Sequence, residues 1–112
     1  MIKIEIVNGT IVPFTSIDNR KDEGSELIFN GRVRLKENGK EIVALEYEQY
    51  VGMAESELNN IAKETIALFL VKEVFCRHRI GKVPVGEASL HIVIWSKHRK
   101  EGLNAMTYFI TE

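Results

Sequence analysis

Apolar positions along the chain fall first into strand-like alternation and only later into helical spacing. Ile2, Ile4 and Ile6 alternate with Lys3 and Glu5, the period of a half-buried strand, which Asn8-Gly9 brings to an end. Ile11 to Phe14 predicts a further extended piece, at a sheet edge because Pro13 has no N–H to give a ladder. Ser16 to Ser25 is polar, with Asp18, Asn19, Arg20, Lys21, Asp22 and Glu23 in succession, and predicts a solvated loop or short helix. Glu26 to Asn30 and Arg32 to Lys36 predict one strand broken at Gly31. The Asn38-Gly39 turn signal before Ile42 to Tyr47 makes the clearest hairpin in the chain. Gly31 marks a bulge or a close backbone approach.

From Ala54 the period changes. Leu58, Ile61, Ala62, Thr65, Ile66, Leu68 and Phe69 recur at helical spacing, predicting one amphipathic helix over about 54–70 with no glycine stop at its end. Val71 to His78 returns to a strand, and Arg79 to Gly86 reads as a turn-rich connection. Leu90 to Trp95 is almost wholly apolar and predicts a strand buried on both faces. It breaks off at Ser96, which offers a helix cap, and Leu103, Met106, Phe109 and Ile110 then space out a second helix. Gly102 weakens that helix by up to ~1 kcal/mol relative to alanine. Hairpin strands with two interposed helices favour an α+β fold with a largely antiparallel sheet.

Composition narrows the function classes. With 112 residues, 45% apolar and 28% charged, the chain is expected to be a single domain over 1–112 with one core. A net charge of −1 argues against broad nucleic-acid or anionic-membrane binding while leaving room for a local basic pocket. No run reaches the ~18 apolar residues of a membrane span and the start lacks a signal-peptide pattern, so a cytoplasmic protein is expected. Cys76 is the single cysteine, which excludes an intrachain disulfide and a four-cysteine zinc site.

The strongest chemical signal lies where the buried strand meets the last helix. Lys97, His98, Arg99 and Lys100 stand at a helix start, whose unpaired N–H groups already carry partial positive charge, so the arrangement calls for an anion. Arg32 and Arg34, two apart on a strand, share a face and suit a phosphate or carboxylate; solvated charge is the plain alternative. Arg77, Arg79 and Lys82 complete the candidate basic set. Cys76 and His78 share a strand face and, with His91 or His98, have the residue types of a zinc site or a thiol nucleophile. Simple packing outweighs both readings, and no metal is expected. His91 reads as a satisfied core histidine, and Glu46 with Glu48 as a solvated face.

Taken in order, Gly31-Arg32-Val33-Arg34, Leu45-Glu46-Tyr47-Glu48, Tyr50-Val51-Gly52-Met53, His78-Arg79-Ile80-Gly81 and Ser96-Lys97-His98-Arg99 resemble the large, catalytic subunit family of molybdopterin synthase. The resemblance covers nearly the whole chain. It implies a hammerhead-type α/β fold, a homodimer, and a heterotetramer with two copies of a small ubiquitin-like sulfur carrier whose Gly-Gly tail ends as a thiocarboxylate. The implied reaction moves sulfur onto cyclic pyranopterin monophosphate to make the molybdopterin dithiolene, with no cofactor. By motif, Arg32, Val33, Arg34, His98 and Arg99 are implied as substrate-binding and His98 as catalytic. Arg34 and Arg99 would hold the phosphate, and Phe29, Tyr47, Tyr50 and Met53 would line the carrier tail's route. The family also implies a lysine-bearing segment just past the position of Glu112, which has no counterpart to carry over. A family member that only binds the carrier or a pterin phosphate, and an unrelated small phosphate-binding α+β protein, are the alternatives.

Overall fold

A computed structural model of the chain describes residues 1–14, 20–37, 40–41, 44–47 and 51–111. In chain order the elements are β1 (Ile2–Val7), β2 (Ser25–Arg32), β3 (Lys36–Glu37), β4 (Lys40–Glu41), β5 (Ala44–Tyr47), α1 (Val51–Phe69), β6 (Glu73–Arg79), β7 (Gly81–Pro84), β8 (Ala88–Ser96) and α2 (Arg99–Thr111). The main sheet runs β1-β6-β8-β2; β1 is parallel to β6, and the other two pairs are antiparallel. The α+β class, the mostly antiparallel sheet and the two helices are as the residue pattern predicts.

Alternation along each strand sorts the sheet into two faces. Ile4, Val74, Cys76, Ile92 and Ile94 point to the helices and pack with Ala62, Ala105, Met106 and Phe109 in the principal core. Opposite them, Phe75, Val93 and Trp95 form a second cluster closed by Phe14. β8 is therefore buried on both faces, as its apolar run predicts. No helix among the described residues is long and apolar enough to cross a membrane.

Three expectations about the chain change, and a fourth gains its physical cause. Ile11 to Phe14 forms no strand: Phe14 instead lays its ring 4.6 Å from that of Phe75 and edge-on at 5.7 Å from Trp95. The polar loop is not wholly solvated either, since the Arg20 guanidinium stacks 3.9 Å above the Trp95 ring while its Nη1 lies 3.4 Å from Glu73. The Asn38-Gly39 turn lies outside the described residues and is flanked by a two-residue ladder, β3 with β4. The strand after it, β5, pairs with β7, inside the stretch read as a connection. Finally, α1 stops without glycine because Leu70 itself takes φ 56°, its N–H reaching the Ile66 carbonyl at 3.0 Å.

His91 is the satisfied core histidine its sequence setting predicts. The ring is 1% exposed; Nε2 accepts the Phe14 N–H at 3.1 Å, which makes Nδ1 the protonated nitrogen donating to Asn30 Oδ1 at 2.7 Å. Burial, and secondarily the Arg77 charge, pushes its pKa below the ordinary imidazole value of 6.5, and burial does the same at His78. A histidine kept neutral by the fold binds fewer protons than its unfolded counterpart, so stability is fully present above about pH 6.5 and falls as pH drops below it. Urea unfolding at pH 7.5 and 5.5 should show the lower midpoint at 5.5, with the Phe14 amide less protected there relative to its intrinsic exchange rate at that pH. A flat profile would contradict this account.

Candidate functional site

Two basic groups frame the candidate chemistry, one at each end of the β2–β8 ladder. At the first end, Ser96 closes β8 and α2 begins at Arg99, which puts His98 rather than Ser96 in the capping position. Ser96 is fully buried and its hydroxyl donates to the His98 carbonyl at 2.6 Å instead of accepting a helix N–H. The same carbonyl takes the Gly102 N–H at 3.4 Å, so the turn carrying His98 is tied from both sides. Gly24 donates to the Lys97 carbonyl at 3.2 Å. With Lys97, His98, Arg99 and Lys100, all exposed, it lines an open depression of about 510 Å³. Among the described residues no carboxylate pairs with any of these four side chains. Uncompensated positive charge at a helix N-terminus is suited to a phosphate or carboxylate.

At the other end the β2 register slips between Gly31 and Arg32. This is the irregularity that Gly31 predicts. Val33 follows, 3% exposed, its N–H bonded to the Glu87 carbonyl at 3.1 Å and its carbonyl to the Gly86 N–H at 2.8 Å. Arg32 Nη1 donates to the Gly86 carbonyl at 2.7 Å, and both Arg32 and Arg34 are exposed. Near this end, on the helix side of the sheet, a cavity of about 220 Å³ is lined by Leu58, Ile61, His78, Leu90, Phe109 and Ile110, with Glu57 beside them. His78, which the sequence offers only as a partner of Cys76, and Glu57, which residue patterns did not single out, are its polar members; the cross-strand pairing of His78 with Leu90 is what brings His78 there.

The five residues implied as one binding set are thus not together in one chain. Ser25 faces Ser96 and Arg32 faces Ala88 across the nine-residue β8, a separation of roughly 25 Å at ordinary strand rise. Arg32–Arg34 and His98–Arg99 stand at opposite ends of it.

Other candidates resolve into structure. Arg77 is held by Glu5 at 2.6 Å and by the Val12 carbonyl, and Arg79 by Glu87 at 2.7 Å. Cys76 is fully buried and desolvation pushes its thiol up to about 12, which leaves no thiolate for a nucleophile at neutral pH. Cys76 and His78 do share a face, but among the described residues no three His, Cys, Asp or Glu converge. Phe29 is half-buried against the helix-side core. Glu48 and Tyr50 lie outside the described residues, as do the side chains of Glu46, Tyr47 and Met53.

Residues 8–112 match the family model described as MoaE protein. The chain is 35% identical over 120 residues to the molybdopterin synthase catalytic subunit of Homo sapiens, covering 98% of this chain and 64% of that protein. The Bos taurus subunit of the same name is 36% identical with the same coverage. The chain therefore spans just under two thirds of the length of these relatives. Among solved structures it is similar to a molybdopterin synthase from Staphylococcus aureus, with TM-score 0.81, 29% identity, and coverage of 96% of this chain and 80% of the other. A complex of subunits 1 and 2 of the molybdopterin-converting factor from Helicobacter pylori shares the fold, with TM-score 0.71, 24% identity, and coverage of 96% and 75%.

Proposed function

Since the chain belongs to the MoaE protein family, we propose that it acts as the large subunit of a cytoplasmic molybdopterin synthase, moving sulfur from a thiocarboxylated small carrier onto cyclic pyranopterin monophosphate. The observation that carries the reading is the exposed Lys97–Lys100 turn at the start of α2, where four cationic or ionisable side chains line one depression at the helix N-terminus and none of them, among the described residues, is paired with a carboxylate. A cyclic phosphate is a fitting ligand there. Arg99 holds the phosphate and stabilises charge as the ring opens, and His98, exposed at the cap, carries a proton to the leaving oxygen.

Arg34 belongs to the same substrate set by motif but sits at the far end of the ladder. A homodimer resolves this: the Arg32–Arg34 end of one protomer and the His98–Arg99 turn of its partner then form one site, and a two-fold assembly has two such sites. The cavity beside His78 lies on the Arg34 side and offers an apolar passage for an extended Gly-Gly tail.

Single-turnover conversion with thiocarboxylated carrier tests the reading. Dithiolene formation by the protein, reduced at least about 10²-fold by His98→Ala, is the expected result. Binding of carrier and pterin without product would leave a binding module in place of a synthase. Absence of both would point to an unrelated anion-binding protein.

A further inference from the structure

Arg79 is the one arginine or lysine buried among the described residues, at 7% exposure. Its planar fork spans a turn. Nη1 donates to Glu87 Oε1 at 2.7 Å and Nη2 to the Lys82 carbonyl at 2.9 Å. Lys82 belongs to β7, whereas Glu87 lies beyond the Val85-Gly86 corner, where Gly86 takes φ 88°. One side chain therefore ties the two limbs of the β7–β8 turn, a task for which a guanidinium has two diverging donors and an ammonium offers only a point charge.

That turn in turn holds the segment with the paired arginines. The register slip moves the partner from Leu90 at Gly31 to Ala88 at Arg32, passing over Ser89. Beyond Arg32 the main sheet no longer sets the chain's direction. Instead Val33 exchanges two backbone bonds with Gly86 and Glu87, and Arg32 Nη1 closes onto the Gly86 carbonyl. The path from buried Arg79 through Glu87 to Val33 is continuous, and Arg34 follows Val33 directly.

We propose that Arg79, acting through Glu87, is a positioning residue that aims the Arg32–Arg34 segment at the phosphate of the substrate. This rests on the synthase reading above. In this arrangement Arg32 is a clasp on the turn, with one of its nitrogens committed to Gly86, and Arg79 never meets the ligand.

The test is equilibrium binding of cyclic pyranopterin monophosphate to the intact protein and to Glu87→Ala, Glu87→Gln and Arg79→Lys, with carrier affinity and thermal midpoint measured in parallel. Glu87 is partly exposed and lies at a turn, so its variants keep the fold. Glu87→Ala and Arg79→Lys should weaken pterin binding by about five- to tenfold, the scale of one charge-assisted hydrogen bond partly transmitted, with carrier affinity unchanged. Glu87→Gln, whose amide oxygen still accepts from Nη1, should recover most of the loss, and Val33 and Gly86 amides should exchange faster in Glu87→Ala alone of the two Glu87 variants. Pterin affinity in Glu87→Ala equal to that of the unaltered protein would overturn the positioning role and leave the synthase reading standing. An equal loss of carrier affinity, or no recovery in Glu87→Gln, would also overturn it. If the unaltered protein does not bind the pterin at all, the synthase reading itself fails and the positioning role falls with it.

Discussion

A one-to-one mixture of Arg34→Ala and His98→Ala chains, dissociated and reassembled together, is expected to recover about a quarter of the unaltered protein's turnover. Each variant alone should fall by about 10²-fold or more, having lost one functional group at the reacting phosphate. The recovery follows from symmetry. Half of the dimers formed at random are mixed, and each mixed dimer has one site with both groups and one with neither. The roughly 25 Å between the two ends of the β2–β8 ladder makes this outcome the natural one, because Arg32 faces Ala88 while Ser25 faces Ser96. Turnover in the mixture no higher than the average of the two variants would place the site within one chain and remove the argument for a shared one.

Replacing Gly102 by alanine is expected to destabilise the protein, although helix propensity alone predicts a gain of about 1 kcal/mol. Gly102 is buried in the first turns of α2, and a Cβ there would stand 2.8 Å from Ser96 Oγ, 3.2 Å from Leu27 Cδ1 and 3.3 Å from Ser25 Oγ. Ser96 cannot rotate away freely, since its fully buried hydroxyl is committed to the His98 carbonyl. Overpacking of this kind costs about 1–3 kcal/mol, so alanine should lose about 1 kcal/mol net and valine about 3 kcal/mol, measured by urea unfolding at pH 7.5. The displacement also pushes the His98–Arg99 turn off the sheet, so anion affinity should fall together with stability. A Gly102→Ala protein more stable than its parent would mean that α2 can shift without resistance.

These two expectations show where residue patterns suffice and where they do not. The double-sided burial of β8 was legible because an unbroken apolar run has few other solutions, and α1 because its apolar positions recur every three to four residues. The cationic start of α2 was legible for a similar reason: the signal is four adjacent residues. The short β3–β4 ladder flanks Asn38-Gly39, which lies outside the described residues, but the partner of the strand after it was not legible. β5 pairs with β7, whose Gly81, Pro84 and Gly86 surroundings carry turn chemistry that masks a short ladder. Ser96 offers a cap in the sequence but does not act as one, because a hydroxyl both donates and accepts, and only its burial beside the His98 carbonyl selects donation. Arg20, in a run of six charged and polar residues, gave no sign that it would cover Trp95.

Local periodicity, turn chemistry and charge adjacency are properties of neighbouring residues, and they determine the element types, the buried strand, the basic helix start and, through the ordered motifs, the family. Strand partners, the approach of α2 at Gly102, the clasp from Arg79 to Glu87 and the distance between the two arginine-bearing ends are settled by the assembled fold. The reason is physical: each depends on contacts whose free energy exists only when both sides are in place. Ser25 and Ser96, or Val33 and Glu87, meet across a long stretch of chain, and which surfaces meet is decided by burial summed over the whole molecule rather than by any segment's own preference.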